Sequence, residues 1–282
     1  MTVDALTIDQ ALPDDGEELK SCCAQLYEHE GARLLIGDSL HPGGLELTAK
    51  LGVALGLNER SHVLDVASGG GASALLLAQR FGCRVTGIDY GARIVERAND
   101  TAAYQGVADR VAFEHADAEH LPFSDETFDA VLCECAFCLF PDKVRAATEF
   151  ARVLKPGGRL ALSDLTRNGA LPESLTGLMS WVACIADARP VNDYTDHLAG
   201  AGLDIDDIVP QDDALLTLVK DVQFKLLGAD VLVGLGKLDM SKEDVATARN
   251  FAREAQAAIT RGDLGYVAII ASRRDHRDEN HT

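Results

Sequence analysis

The chain has 282 residues, with 26 lysines and arginines against 45 aspartates and glutamates, a formal charge of −19. Such an excess of acid excludes a nucleic-acid backbone or an anionic membrane surface as the main partner, because both demand a basic face, and it leaves a small molecule as the expected partner. Hydrophobic residues make up 47% of the chain, enough for a sizeable core in one large α/β domain, and no run of roughly 18 apolar residues offers a membrane span.

Residues 1–20 are acidic and lack a basic stretch followed by an apolar one, so they read as a flexible leader and not as a signal peptide. A cytoplasmic, reducing location is expected, and an odd count of seven cysteines argues against a disulfide framework. Residues 21–58 read as helices broken at His41-Pro42-Gly43-Gly44, forming a lid. Short β-type runs then alternate with helical ones. The runs are His62–Ala67, Arg84–Asp89, Val111–Asp117, Phe128–Cys135 and Arg159–Leu165, with helices over Ala72–Phe81, Gly91–Tyr104 and Lys143–Val153. Alternation of this kind specifies βαβ units and a parallel sheet with helices on both faces, and ligands then bind at the carboxyl ends of the strands. Residues 59–273 form this domain. It carries a second lid segment at 170–200, amphipathic around Trp181 and Cys184, and a helical insert at 212–262. Gly265–Arg273 is a late strand that closes the sheet, and 274–282 is a charged tail.

The sharpest local signal is Val63-Leu64-Asp65-Val66-Ala67-Ser68-Gly69-Gly70-Gly71-Ala72, a strand that runs into glycines and then a helix. Glycine permits a tight turn and close approach of a ligand to backbone. Gly69, Gly71 and Ala74 also fit G-x-G-x-x-A, so a dinucleotide fold competes with a plain tight turn. A second strand ends in Asp89, about 20 residues after Gly69, where a carboxylate is placed for ribose hydroxyls. A third ends in Asp117, placed for an adenine amino group. The plainer reading makes these acids helix caps. Three acid-bearing strand ends in order favour the nucleoside reading.

Asp65-Val66-Ala67-Ser68-Gly69-Gly70-Gly71 resembles the first motif of class I S-adenosylmethionine-dependent methyltransferases. Gly87-Ile88-Asp89, residues 117–123, Phe128-Asp129-Ala130-Val131 and Leu154-Lys155-Pro156-Gly157-Gly158 are similar to the later motifs, in order, across residues 60–165. Ala67 stands where the family has glycine. The resemblance implies a doubly wound, mostly parallel seven-stranded Rossmann-like sheet with helical lid segments, and S-adenosylmethionine as cofactor. It implies that Asp65 orients the glycine loop and the methionine end, Asp89 holds the ribose and Asp117 reads the adenine. Ala67, Gly69, Gly71, Tyr90, Ala118 and Glu134 complete the cofactor set.

The cysteines are the second unusual feature. Cys133, Cys135 and Cys138 cluster at the end of the fourth strand, where 133 and 135 share a face if the strand continues. Buried hydrophobes, a zinc site and a thiolate site for a soft acceptor are the three readings. Zinc lacks a second C-x-x-C, so no metal is assigned. Cys135 followed by Leu139 and Pro141-Asp142-Lys143 is similar to the arsenite methyltransferase motif, and Cys184 stands where that family has a lid cysteine. This resemblance implies trivalent arsenic held by Cys135 and Cys184, with Cys22 or Cys23 as a third ligand. Cys83 reads as core.

The alternative is C- or O-methylation of a small organic molecule of quinone or natural-product type. A hydroxyl nucleophile would require a general base, for which His29, His41 and Glu134 are the candidates. His41-Pro42-Gly43-Gly44 otherwise reads as a structural turn, and His120 as a neighbour of the adenine loop. A thiol-rich sensor on the same scaffold and a dehydrogenase are weaker rivals. The intact glycine loop and acids oppose the first, and the Lys155–Gly158 block opposes the second.

Overall fold

Valine, leucine and isoleucine crowd the predicted strands without strict alternation, as strands covered on both faces require. In β1 (His62–Val66), Val63, Leu64 and Val66 are fully buried. The computed structural model describes residues 16–27, 41–175, 184–185, 187–234 and 241–274. The remaining strands are β2 (Arg84–Asp89), β3 (Val111–His115), β4 (Phe128–Glu134), β5 (Leu154–Arg167), β6 (Leu203–Pro210) and β7 (Leu264–Arg273). They form one seven-stranded sheet in the order β3–β2–β1–β4–β5–β7–β6. The first five strands run parallel, and β7 pairs antiparallel with both β5 and β6. The doubly wound, mostly parallel architecture is therefore as expected.

The helices are α1 (Gly16–Tyr27), α2 (Gly44–Ala54), α3 (Ala72–Phe81), α4 (Ala92–Tyr104), α5 (Lys143–Val153), α6 (Val191–Gly200), α7 (Asp212–Gly234) and α8 (Lys242–Arg261). Their ends follow local chemistry. Left-handed Gly71 and Gly82 bracket α3, and Asp142 caps α5 by accepting from Arg145 N (2.8 Å). Ser241 and Asp244 form a capping box at the start of α8.

Several expectations are corrected. The strand β6 was not expected; its acids and mostly exposed side chains hide its pairing at the sheet edge. The leader was assigned through residue 20, yet α1 begins at Gly16. The 21–58 lid includes α2, which packs beside α3 through buried Leu47 and Leu51 and so belongs to the helical layer. The 170–200 lid includes α6, which is anchored into the core. Tyr194 is fully buried, donates to Leu165 O (2.9 Å) and accepts from Arg189 N (3.0 Å). Trp181, like His29, lies outside the described residues. Among the described residues no helix is long and apolar enough to cross a membrane.

Candidate functional site

The chain crosses over between β3 and β4, so the strand order reverses between β1 and β4. A crevice opens there at their carboxyl ends. One cavity at this edge is lined by the loop after β1, the ends of β2 and β3, and the end of β4. The loop after β1 turns sharply. Ser68 N donates to Ile88 O (2.8 Å) and Gly71 N to Ser68 O (2.9 Å). Ala67 takes a left-handed φ of 55°, so the position where the resemblance has glycine keeps a glycine-type backbone. Gly71 has φ +82°, and an added Cβ would stand 2.3 Å from Phe113 Cζ. Gly71→Val is expected to destabilise the protein by about 3 kcal/mol, from overpacking plus backbone strain, as a lowered urea midpoint would record.

Asp89 ties two loops together. Its Oδ2 accepts from Gly69 N (2.9 Å) and its Oδ1 from Gly91 N (2.8 Å). The carboxylate thus closes the glycine loop from below while lining the cavity.

At the β1–β4 end of the cavity, Asp65 is buried and its Oδ2 has no hydrogen-bond partner among the described residues. Burial, then the nearby charges of Glu134 and Asp89, hold its carboxyl well above the usual carboxylate range. Glu134 is better satisfied. Ser73 Oγ donates to its Oε2 (2.7 Å), and Thr48 Oγ1 lies 3.1 and 3.0 Å from its two oxygens. His41 is buried beside them. Its Nδ1 lies 3.2 Å from Pro42 O, an acceptor, so Nδ1 carries hydrogen. Its Nε2 faces Glu134 Oε2 at 3.5 Å.

At the β2–β3 end, Asp117 Oδ1 accepts from Glu119 N (2.9 Å) and Oδ2 accepts from Lys20 Nζ (2.8 Å). Lys20 also donates to Glu119 Oε2 (2.6 Å). Burial, the largest single influence, raises the Asp117 carboxyl, but the bonds from Lys20, Glu119 N and His120 and the Lys20 charge together outweigh it and the net direction is downward. Exposed His120 stands 3.5 Å from Asp117 Oδ2, beside the predicted adenine loop. Ala118 lines the same end. Tyr90 also borders the cavity, and its hydroxyl donates to Glu17 Oε2 (2.8 Å) on α1.

The thiols meet behind the β4 end. Cys184 Sγ donates to Cys135 O (3.2 Å), and the Cys184 thiol interacts with those of Cys135 and Cys138. Hydrogen bonding to Cys184, then burial, push Cys135 well above the ordinary thiol range; burial does the same to Cys138. The Cys135 and Cys138 sulfurs are therefore neutral thiols near pH 7. Asp164, which accepts from Cys138 N (2.8 Å), is pushed up to about 7 by burial and the nearby Cys184. The expectation that Cys133 and Cys135 share a face fails because β4 stops at Glu134 and Cys135 turns with φ +55°. Cys133 is core, and Cys135 lines the cavity. Cys83 is also buried, which pushes it up to about 11. Among the described residues no group of three histidine, cysteine, aspartate or glutamate side chains is arranged to hold a metal ion. Cys22 and Cys23 lie on α1, but their side chains are outside the described set.

The description "Methyltransferase domain" fits residues 64–162, the stretch from β1 into β5 that carries the strand-end loops of the cavity, while Lys20, Ala24 and His41 line it from outside this stretch. The chain is similar to a 27-O-demethylrifamycin SV methyltransferase from Amycolatopsis mediterranei, 36% identical over 173 residues, covering 59% of this chain and 62% of that one. It is also similar to an arsenite methyltransferase from Halobacterium salinarum, 31% identical over 209 residues, covering 68% of this chain and 52% of that one. The chain thus spans less than two thirds of the length of these curated relatives. The fold is shared with a phosphoethanolamine N-methyltransferase from Haemonchus contortus, solved with S-adenosylhomocysteine bound. That match has a TM-score of 0.76 and 17% identity, and it covers 91% of this chain and 60% of that one.

The stretch 64–162 brings Asp65, Ala67, Gly69, Asp89, Tyr90, Asp117, Ala118, Glu134 and Cys135 to one cavity. Gly71 shapes the loop from below, and Cys184 reaches Cys135 from outside residues 64–162. Sequence reasoning missed Ser73, Thr48 and Lys20. Ser73 and Thr48 sit on helices with no motif around them, and only tertiary packing joins them to Glu134. Lys20 did leave a signal, as the only lysine or arginine among the first 32 residues, an acidic stretch.

Proposed function

We propose that the chain transfers a methyl group from S-adenosylmethionine to the hydroxyl or activated carbon of a small organic molecule. The observation that carries the cofactor part is the orphaned Asp65 Oδ2. A buried carboxylate oxygen without a donor among the described residues, on a residue that lines a cavity, fits an amino-acid ammonium. Asp89, already bound to two backbone N–H groups, retains lone pairs for ribose hydroxyls. Asp117 serves the adenine amino group. Bound S-adenosylmethionine supplies an electrophilic methyl group.

The acceptor end needs a group to take the proton from a hydroxyl nucleophile. His41 fits this role. Nδ1 is tied to Pro42 O, so Nε2 is the nitrogen available at the cavity, and Glu134 stands by to stabilise the imidazolium formed. Ser73 and Thr48 hold the Glu134 carboxylate in place.

A second reading, methylation of trivalent arsenic, is favoured by one observation. Cys135 and Cys184 touch, close enough for one small soft atom to bridge them after both lose protons. The raised Cys135 pKa works against it, since a bond from that sulfur to arsenic must first displace the proton of a thiol whose thiolate is disfavoured.

Purified protein with labelled S-adenosylmethionine should be offered a panel of phenols and quinols, and separately arsenite with a reducing thiol. Label is expected in an organic product, with kcat falling about 10²–10⁴-fold in His41→Gln. Label only in arsenicals, lost in Cys135→Ser and Cys184→Ser, would reverse the assignment.

A further inference from the structure

α1 lies across the adenosine end of the cavity and touches three of its loops. Lys20 reaches Asp117 and Glu119 after β3. Glu17 receives the Tyr90 hydroxyl after β2 (2.8 Å). Gly16 abuts Pro141 after β4, where an added Cβ would stand 3.2 Å from the proline ring. Ala24, one turn beyond Lys20, lines the same cavity.

The Lys20 contact is unlike an ordinary surface pair. Its side chain is only 9% exposed, and it meets two carboxylates at 2.8 and 2.6 Å. Both acids are anchored in the domain: Asp117 holds Glu119 N, and Glu119 Oε1 accepts from Asp142 N (2.8 Å) at the start of α5. Burial opposes the charge on Lys20, yet the two carboxylates hold its ammonium above the usual lysine range. Asp117 Oδ2, the oxygen taken by Lys20, belongs to the carboxylate assigned to the adenine amino group.

We propose that α1 is a strap over the adenosine end, latched by Lys20 to Asp117 and Glu119, and that release of this latch gates the exchange of S-adenosylhomocysteine. The inference rests on the cofactor reading above. With the latch closed, α1 covers the nucleoside edge and Lys20 neutralises two neighbouring acids. With the ammonium removed, Asp117 and Glu119 repel each other and the charge pairing of α1 to the loop after β3 is lost. A gate differs from a simple binding contact in its kinetics: opening it accelerates entry and exit together, whereas loss of a contact accelerates exit alone.

Surface plasmon resonance with immobilised full-length protein and S-adenosylhomocysteine as analyte tests this. Lys20→Met is expected to raise both the association and the dissociation rate, each about tenfold, with the affinity changed less than either rate. Lys20→Arg, which preserves the charge, should stay near wild type. Glu17→Ala should give a smaller rise in both. Raising ionic strength from about 0.05 to 0.5 M should accelerate exchange in the wild type and have little effect on Lys20→Met. Binding with unchanged rates in Lys20→Met, or a rise in dissociation alone, overturns the latch and leaves the cofactor reading intact. Absence of S-adenosylhomocysteine binding by the wild-type chain overturns both.

Discussion

Asp65→Asn is expected to weaken S-adenosylhomocysteine binding by about a hundredfold, equivalent to roughly 3 kcal/mol for a charged hydrogen-bond partner, while raising the stability of the ligand-free protein at pH 8. The two effects have opposite signs for one reason. Asp65 is buried and Oδ2 has no donor among the described residues, so its charge is a cost until an ammonium arrives. Its folded pKa lies above the unfolded value near 3.9, so the folded state binds the proton more tightly. Ligand-free stability is therefore fullest below that unfolded value and declines as pH rises toward the raised folded value. Thermal melts across pH should show this decline in the wild type and a flatter profile in the variant. An arriving ammonium reverses the shift, so binding should release a proton wherever Asp65 is protonated in the free protein. Calorimetry in buffers of different ionisation enthalpy reads that proton directly. Wild-type affinity in Asp65→Asn would remove Asp65 from the site.

The second large effect is at Asp89. Its two oxygens close the loop after β1 and the turn into α4 by accepting from Gly69 N and Gly91 N. Asp89→Ala removes the ribose partner and releases both backbone groups, and the loss should be about 100- to 1,000-fold in S-adenosylhomocysteine affinity. Asp89→Asn keeps one acceptor and the shape, and should fall between the two. Isothermal titration measures both, and an affinity for Asp89→Ala equal to wild type would show that the loop holds its shape and its ligand without this carboxylate.

The route from sequence to site was uneven, and particular residues show why. The helices over Ala72–Phe81 and Lys143–Val153 match their predicted bounds, because glycines flank the first and Asp142 caps the second. The strand β6 escaped notice because Asp204, Asp206 and Asp207 break any apolar pattern, and its register to β7 slips between Ile205 and Asp207. The insert at 212–262 was read as mainly helical, and it resolves into α7 and α8, which pack on each other. In the site, the acids at strand ends were legible because each follows a local β-to-loop transition. The partners of Glu134 were not. Thr48 and Ser73 precede it by 86 and 61 residues, and a lone threonine or serine on a helix carries no local signal.

What the sequence alone determined is therefore the set of features written within a few residues. These are the alternation of strand and helix, the glycine turn after β1, the acids Asp65, Asp89 and Asp117 in their order, and the crowding of cysteines near residue 135. The tertiary structure decided which of these share a cavity and what state they are in. It left Asp65 Oδ2 without a donor among the described residues, set His41 against Glu134, brought Cys184 onto Cys135 and laid Lys20 across Asp117. The physical reason is range: backbone conformation and capping depend on near neighbours, whereas burial, charge pairing and the pKa shifts they cause depend on residues that the chain brings together only when the sheet is complete.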